Sequence, residues 1–256
     1  MRLVRFASGA GAAFGIFTDD RVHEIEIAPD DSIELTGVYR ALAEVELLAP
    51  VEPSKVVAVG LNYRDHAAEL GMDIPEEPVL FLKAPNTVLP PGGTVVYPPQ
   101  SRRVDYEAEL AVVIGSEARG VTEEEAIDHV IGYTVGLDMT ARDLQVRDGQ
   151  WTRAKNFDGF CPLGPWVETD LDPGDLAVEL RLNGEVRQSS RTSQMIFSVA
   201  LLVSFISGVM TLVPGDVVMT GTPPGVGEVK PGDRLEAEVE GIGMLSVDVQ
   251  SPFPET

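Results

Sequence analysis

The stretch Asp105-Tyr106-Glu107-Ala108-Glu109-Leu110-Ala111-Val112-Val113-Ile114-Gly115 decides how the chain is read. It has the marks of a buried β-strand: Tyr, Val and Ile favour the pleated backbone, the apolar run has strand length, and Gly115 punctuates its end. Buried strands rarely carry charge, yet Glu107 and Glu109 stand two residues apart. Side chains alternate across a strand, so both carboxylates point to one face, about 7 Å apart along the backbone. Two like charges on a half-buried face repel unless something positive lies between them. A solvated edge strand tolerates such a pair. A divalent cation uses it, and the chain must then supply a third ligand.

Composition narrows the options. With 256 residues and 44% hydrophobic side chains, the chain buries a real core as one large domain, or as one domain with a small appendage. Acidic side chains number 41 against 19 basic, a formal charge of −22, which repels phosphate backbones and anionic lipid. Nucleic-acid and membrane-surface partners are therefore not expected, and an anionic substrate needs a local cation. The single cysteine, Cys161, excludes an internal disulfide and suits a reducing cytoplasm. Met1-Arg2 leads into short strand-like segments rather than an apolar leader. Met195 to Val213 carries no charge and has the length of a membrane span, but Ser198, Ser204, Ser207, Gly208 and Thr211 interrupt it and no aromatic belt flanks it. The expectation is a fully buried core helix capped by Thr192 or Ser193.

Taken in order, residues 1–52 form a small N-terminal unit of α+β character. Leu3-Val4-Arg5-Phe6, Ala13 to Phe17 and Val22 to Ile25 read as strands joined at Gly9-Ala10-Gly11 and Asp19-Asp20, with a helix around Ile33 to Leu47. His23 alternates among apolar neighbours as an ordinary strand residue. Residues 53–256 form the main unit, opening on the strand Val56 to Gly60. Asn62 then caps a short helix that Gly71 ends. On it His66 and Glu69 are three apart and share a face, which suits a surface salt pair or a carboxylate-held general base. Met72 to Pro78 is an exposed segment that, with this helix, makes a lid. Thr122-Glu123-Glu124-Glu125 begins another helix. Asn183-Gly184 marks a two-residue hairpin, and Pro-Gly-Asp turns recur at Pro173, Pro214 and Pro231.

Asp138, at the end of the strand Ile131 to Leu137, is the candidate third ligand. Glu107, Glu109 and Asp138 are three hard oxygen donors with no His or Cys partner of suitable spacing, a set that suits Mg²⁺, with Mn²⁺ or Ca²⁺ as substitutes, and disfavours zinc. Three open positions on an octahedral ion would accept a 2-oxo acid or 1,3-dicarbonyl, and the ion would stabilise an enolate. Arg142 and Lys155 are scarce positive charges beside this cluster, as counter-ions or as partners of a bound anion. Thr220-Gly221-Thr222-Pro223-Pro224-Gly225 lacks the ending of a phosphate-binding loop, but its amides and the Thr222 hydroxyl suit a carboxylate.

From about Val56 to Val249 the chain resembles the fumarylacetoacetate hydrolase family. The resemblance rests on Gly-Leu-Asn-Tyr-x-x-His-Ala-x-Glu from Gly60, Asp-Tyr-Glu-Ala-Glu-Leu from Asp105 and Asp-x-Thr-Ala-Arg-Asp-Leu-Gln from Asp138. It continues through Lys155, Pro162-Leu163-Gly164-Pro165, Gln188, Thr192-Ser193-x-Met195, Gly215-Asp216 and Thr220-Gly221-Thr222-Pro223. It implies a metal on Glu107, Glu109 and Asp138, a water-activating pair His66 and Glu69 on a lid, and Lys155, Arg142, Gln145 and Thr222 as the substrate's anchors. It also implies a predominantly β, α+β fold, a mixed β-sandwich roll, and a homodimer. Leu137, Asn156 and Gly159 depart from the usual pattern beside the expected ligands. The implied activity is Mg²⁺-dependent hydrolysis of a C–C bond in an acylpyruvate, with oxaloacetate decarboxylation or 2-hydroxyhepta-2,4-diene-1,7-dioate isomerisation or decarboxylation as alternatives. A protein that binds 2-oxo acids without catalysis would use the same metal and anion features.

Overall fold

The computed structural model of the chain describes residues 1–9, 11–27 and 33–252. The strand Ala108–Ile114 is buried along its whole length and lies at the heart of an eleven-stranded sheet. Val130–Leu137 and Val217–Met219 flank it, both antiparallel. Val217–Met219 runs parallel to Val56–Gly60, which pairs with the edge strand Val79–Lys83. On the other side Val130–Leu137 pairs with Cys161–Glu168, and Leu3 pairs with Val167 to join the N-terminal strands to the same sheet. A five-stranded sheet that includes Ala177–Leu182, Arg234–Val239 and Gly243–Gln250 packs across it.

The two-residue period of the strand builds the core. Leu110, Val112 and Ile114 join a large apolar cluster with Val135, Leu180, Leu235, Ala237 and Leu245. Ala111 joins a second cluster with Val56, Ala58, Cys161, Leu163 and Met219. Both faces are covered, which is why the strand is continuously apolar rather than alternating.

Four expectations are corrected. The strand does not run unbroken from Asp105: Val104–Tyr106 belongs to a small separate sheet with Thr140–Ala141 and Gly227–Val229, and Glu107 sits at the break. The Ile33 to Leu47 region is a strand, Ile33–Ala41, followed by a short turn of 3₁₀ helix, Leu42–Glu44. Thr36, Val38 and Tyr39 favour extended backbone, Gly37 takes φ +84°, and Arg21–Ile27 offers an edge to pair with. The charge-free segment yields a helix only over Val199–Val209, buried on one side and capped by Ser198, whose Oγ accepts from the Leu201 amide at 3.1 Å. Thr192 instead accepts from the Leu176 amide, and no helix among the described residues is long and apolar enough to cross a membrane. Finally, Thr122 and Glu125 form the expected capping contact, but only the 3₁₀ turn Ala126–His129 follows.

The Asn183-Gly184 hairpin forms as expected, with φ of +54° and +81°. Gly9-Ala10-Gly11 lies partly outside the described residues.

Asp216 shows how the Pro214 turn is secured. Its buried carboxylate accepts from Ser54, from the Lys55 ammonium and from the Val213 amide. Burial alone would raise its pKa, but these donors outweigh it and hold the carboxyl below its ordinary value. The stability it contributes is therefore present above the unfolded value of about 3.9 and lost as pH falls through the depressed folded value. Asp216→Asn is expected to lose about 2–4 kcal/mol at pH 7. Urea titrations should show the gap to wild type narrowing as the solution is acidified.

Candidate metal centre and acid–base pair

The break at Glu107 is what assembles the site. Glu107 leaves one sheet, Glu109 enters the other, and the Asp138 amide donates to the Glu107 carbonyl at 2.9 Å. Glu107, Glu109 and Asp138 are all buried, and one oxygen from each lies within 4.8 Å of the others.

Three cations stand against this cluster. Arg142 donates to Glu107 Oε1, to Asp105 Oδ2 at 2.8 Å and to Gln145 Oε1 at 2.7 Å. Lys155 donates to Asp138 Oδ2 and, at 3.2 Å, to Glu107 Oε2. Lys83 is wholly buried and donates to Asp138 Oδ1 at 2.5 Å and to the carbonyls of Lys155 at 2.8 Å and Met139 at 3.4 Å. Lys83 is the residue that sequence reasoning missed. The available signal was a lysine closing the apolar strand Val79–Lys83, since a strand paired to the core can bury a lysine only against a carboxylate.

The carboxylates divide by charge environment. Burial works to raise the Glu107 pKa, but Lys155 and Arg142 overcome it and hold Glu107 well below the usual range. Burial also works against the Lys155 ammonium, and Asp138 and Glu107 reverse it, so the Lys155 pKa is raised. Glu109 forms no ion pair among the described residues; its Oε2 accepts only the Gly221 amide, at 2.6 Å. Burial, then Asp138 and Glu107, push its pKa well above normal. The Tyr63 hydroxyl is buried with no hydrogen-bond partner among the described residues, and burial first, then Glu109, raises its pKa. A divalent ion fits this donor set: three converging hard oxygens, one of them short of positive charge.

The helix Arg64–Leu70 carries His66 and Glu69, the candidate acid–base pair. Tyr63 rather than Asn62 occupies its cap position, and Gly71 ends it at φ +63°. The Asn62 amide is committed elsewhere, donating to the Phe197 and Thr220 carbonyls and accepting from the Phe197 amide. His66 Nδ1 lies 2.9 Å from Glu69 Oε2, and the Gly225 amide donates to Glu69 Oε1 at 3.1 Å. Because an ionised carboxylate only accepts, Nδ1 is assigned the proton, leaving Nε2 as an acceptor. Gly225 cannot be replaced by a larger residue: its φ is +93°, and a Cβ would lie 2.0 Å from the Arg187 carbonyl oxygen.

Thr222 faces inward rather than offering a free hydroxyl. It donates to the Ala108 carbonyl at 2.9 Å and accepts from Gln188 Nε2 at 2.8 Å, while Gln188 Oε1 accepts the Ala108 amide. Thr222 and Gln188 thereby fix the backbone between Glu107 and Glu109. Gln145 likewise meets Arg142 here.

Residues 55–250 match the family described as fumarylacetoacetate (FAA) hydrolase, C-terminal, and residues 1–50 match Rv2993c-like, N-terminal. The chain belongs to the fumarylacetoacetate hydrolase family. It is 44% identical to a 2-hydroxyhepta-2,4-diene-1,7-dioate isomerase from Mycobacterium marinum, whose crystal structure superposes with a TM-score of 0.92 over 98% of this chain and 99% of that one. A fumarylpyruvate hydrolase from Pseudomonas aeruginosa, solved with Mn²⁺ and pyruvate, is 40% identical with a TM-score of 0.74 over 80% of this chain and 92% of that one. The mitochondrial oxaloacetate tautomerase FAHD2A of Bos taurus is 43% identical over 86% of this chain and 77% of its own. The chain thus resembles an isomerase and a hydrolase in structure and a tautomerase in sequence.

Proposed function

We propose that the protein is a Mg²⁺-dependent hydrolase that cleaves the C–C bond of an acylpyruvate. The observation carrying this reading is the His66–Glu69 pair at 2.9 Å, with Glu69 itself held by the Gly225 amide. Glu107, Glu109 and Asp138 would hold the ion, which when bound supplies Lewis acidity toward the two neighbouring oxygens of a 2-oxo acid. His66 Nε2 takes a proton from water, and Glu69 stabilises the imidazolium and keeps the ring oriented. The water oxygen adds to the distal acyl carbonyl. The bond to the methylene carbon then breaks, and that carbon takes back a proton, so the products are a free acid and pyruvate. Lys155 and Arg142 hold the carboxylate or enolate oxygens, with Gln145 and Thr222 setting their surroundings. Met72 to Pro78 and the preceding helix act as the lid. The proposal includes a cytoplasmic homodimer; it also divides the chain near residue 52, and that division alone is supported by the separate family matches over 1–50 and 55–250.

The likeness to the oxaloacetate tautomerase favours a second reading, keto–enol interconversion of oxaloacetate, in which His66 moves a proton at carbon and no water is consumed. The experiment offers the Mg²⁺-loaded protein an acylpyruvate and, separately, oxaloacetate, following enol absorbance and products. The hydrolase reading expects acylpyruvate loss with equimolar pyruvate and free acid. Fast equilibration of oxaloacetate with no acylpyruvate cleavage would replace it by the second reading.

A further inference from the structure

All four carboxylate oxygens of Glu107 and Asp138 are already engaged by cations: Arg142 and Lys155 on Glu107, Lys83 and Lys155 on Asp138. Each oxygen keeps a further lone pair, but a divalent ion taking oxygens from both residues brings two more positive charges into the cluster and meets most directly the cation that already bridges them. The three are anchored very differently. The Arg142 guanidinium is shared with Asp105 and Gln145, and Lys83 is tied to two backbone carbonyls. Among the described residues Lys155 has neither kind of anchor. Among the described residues it is the one cation that touches two candidate ligands, and its ammonium also faces the Phe81 ring, whose centroid lies 4.7 Å from Nζ.

We propose that the Lys155 ammonium is an exchangeable stand-in for the metal. It neutralises Glu107 and Asp138 while no ion is bound, and the entering ion displaces it from them. Like charges then keep it off the metal, and a cation freed inside a desolvated site seeks an anion. The substrate's carboxylate or enolate oxygen is that anion. Lys155 thus links the two binding events: metal loading releases the group that captures the acid, so metal binds first and substrate second. This rests on the metal reading proposed above and adds an order to it.

The linkage has an opposite-signed signature. Lys155→Met removes the competitor, so Mn²⁺ alone, titrated calorimetrically in the absence of any acid, should bind about tenfold tighter than to wild type. Pyruvate added to the Mn²⁺-loaded variant should bind about tenfold more weakly than to loaded wild type. General damage to the fold would weaken both. A second measurement uses unaltered protein: adding diamagnetic Mg²⁺ should move the side-chain ¹⁵N resonance of Lys155, identified by its contact with the Phe81 ring protons, while that of Lys83 stays near its place. Wild type that binds Mn²⁺ alongside a variant that binds it equally or more weakly, or a Lys155 resonance unmoved at saturating Mg²⁺, would overturn the proposal and leave the metal site intact. Failure of wild type to bind either ion would take down the metal reading and this proposal together.

Discussion

Glu109→Gln is expected to weaken Mn²⁺ binding by at least about 100-fold without destabilising the fold. The two halves of this expectation come from one fact. Glu109 forms no ion pair among the described residues, accepts only the Gly221 amide, and has its pKa raised by burial and by Asp138 and Glu107. A carboxyl that resists ionising is close in shape and charge to a glutamine, so in metal-free protein the exchange should change stability by no more than about 0.5 kcal/mol near pH 4. Glu107→Gln and Asp138→Asn lack this tolerance. Each leaves the buried Lys155 short of a partner, and Asp138→Asn also strips Lys83, so losses of about 3–5 kcal/mol are expected. Urea denaturation in the presence of a chelator reads the stabilities, and calorimetric Mn²⁺ titration reads the affinity. A folded-state pKa above the unfolded one makes Glu109 increasingly unfavourable as pH rises from about 4.3, so Glu109→Gln should gain on wild type in that direction. A variant that still binds Mn²⁺ within a few-fold of wild type would remove Glu109 from the ligand set.

His66→Ala carries the second large effect. Loss of a positioned general base is expected to lower acylpyruvate turnover by about 10²–10⁴-fold. Mn²⁺ affinity should stay unchanged, because His66 makes its side-chain contact with Glu69 and not with the three carboxylates. Glu69→Gln should fall in between, since the ring keeps a neighbour at the same place but loses the charge that stabilises the imidazolium. Near-normal hydrolysis by His66→Ala would sink the mechanism while leaving the metal centre standing.

Much of this candidate site is legible in the sequence. Glu107 and Glu109 announced themselves because charge inside an apolar strand needs a reason, and Asp138 followed from its place at a strand end. The geometry that joins them was not legible. Nothing local in Tyr106-Glu107-Ala108 says that the strand changes sheets there; the change is made by pairing with Thr140–Ala141 on one side and Val130–Leu137 on the other. The helix expected around Ile33 to Leu47 fails for a similar reason, since a neighbouring edge strand decides the conformation of Ile33–Ala41. Lys83 was overlooked because its partners lie 55 and 72 residues away along the chain. Asn62 has the composition of a cap, but its amide spans two distant segments instead. In each case a long-range hydrogen bond overrode a local preference.

The measurement closest to the central claim is product formation from an acylpyruvate by chelator-stripped protein, before and after Mg²⁺ is restored. The account predicts no cleavage without the ion and, with it, one pyruvate and one free acid for each acylpyruvate consumed. Equal cleavage by the stripped protein, or no cleavage after Mg²⁺ has been shown to bind, would contradict it.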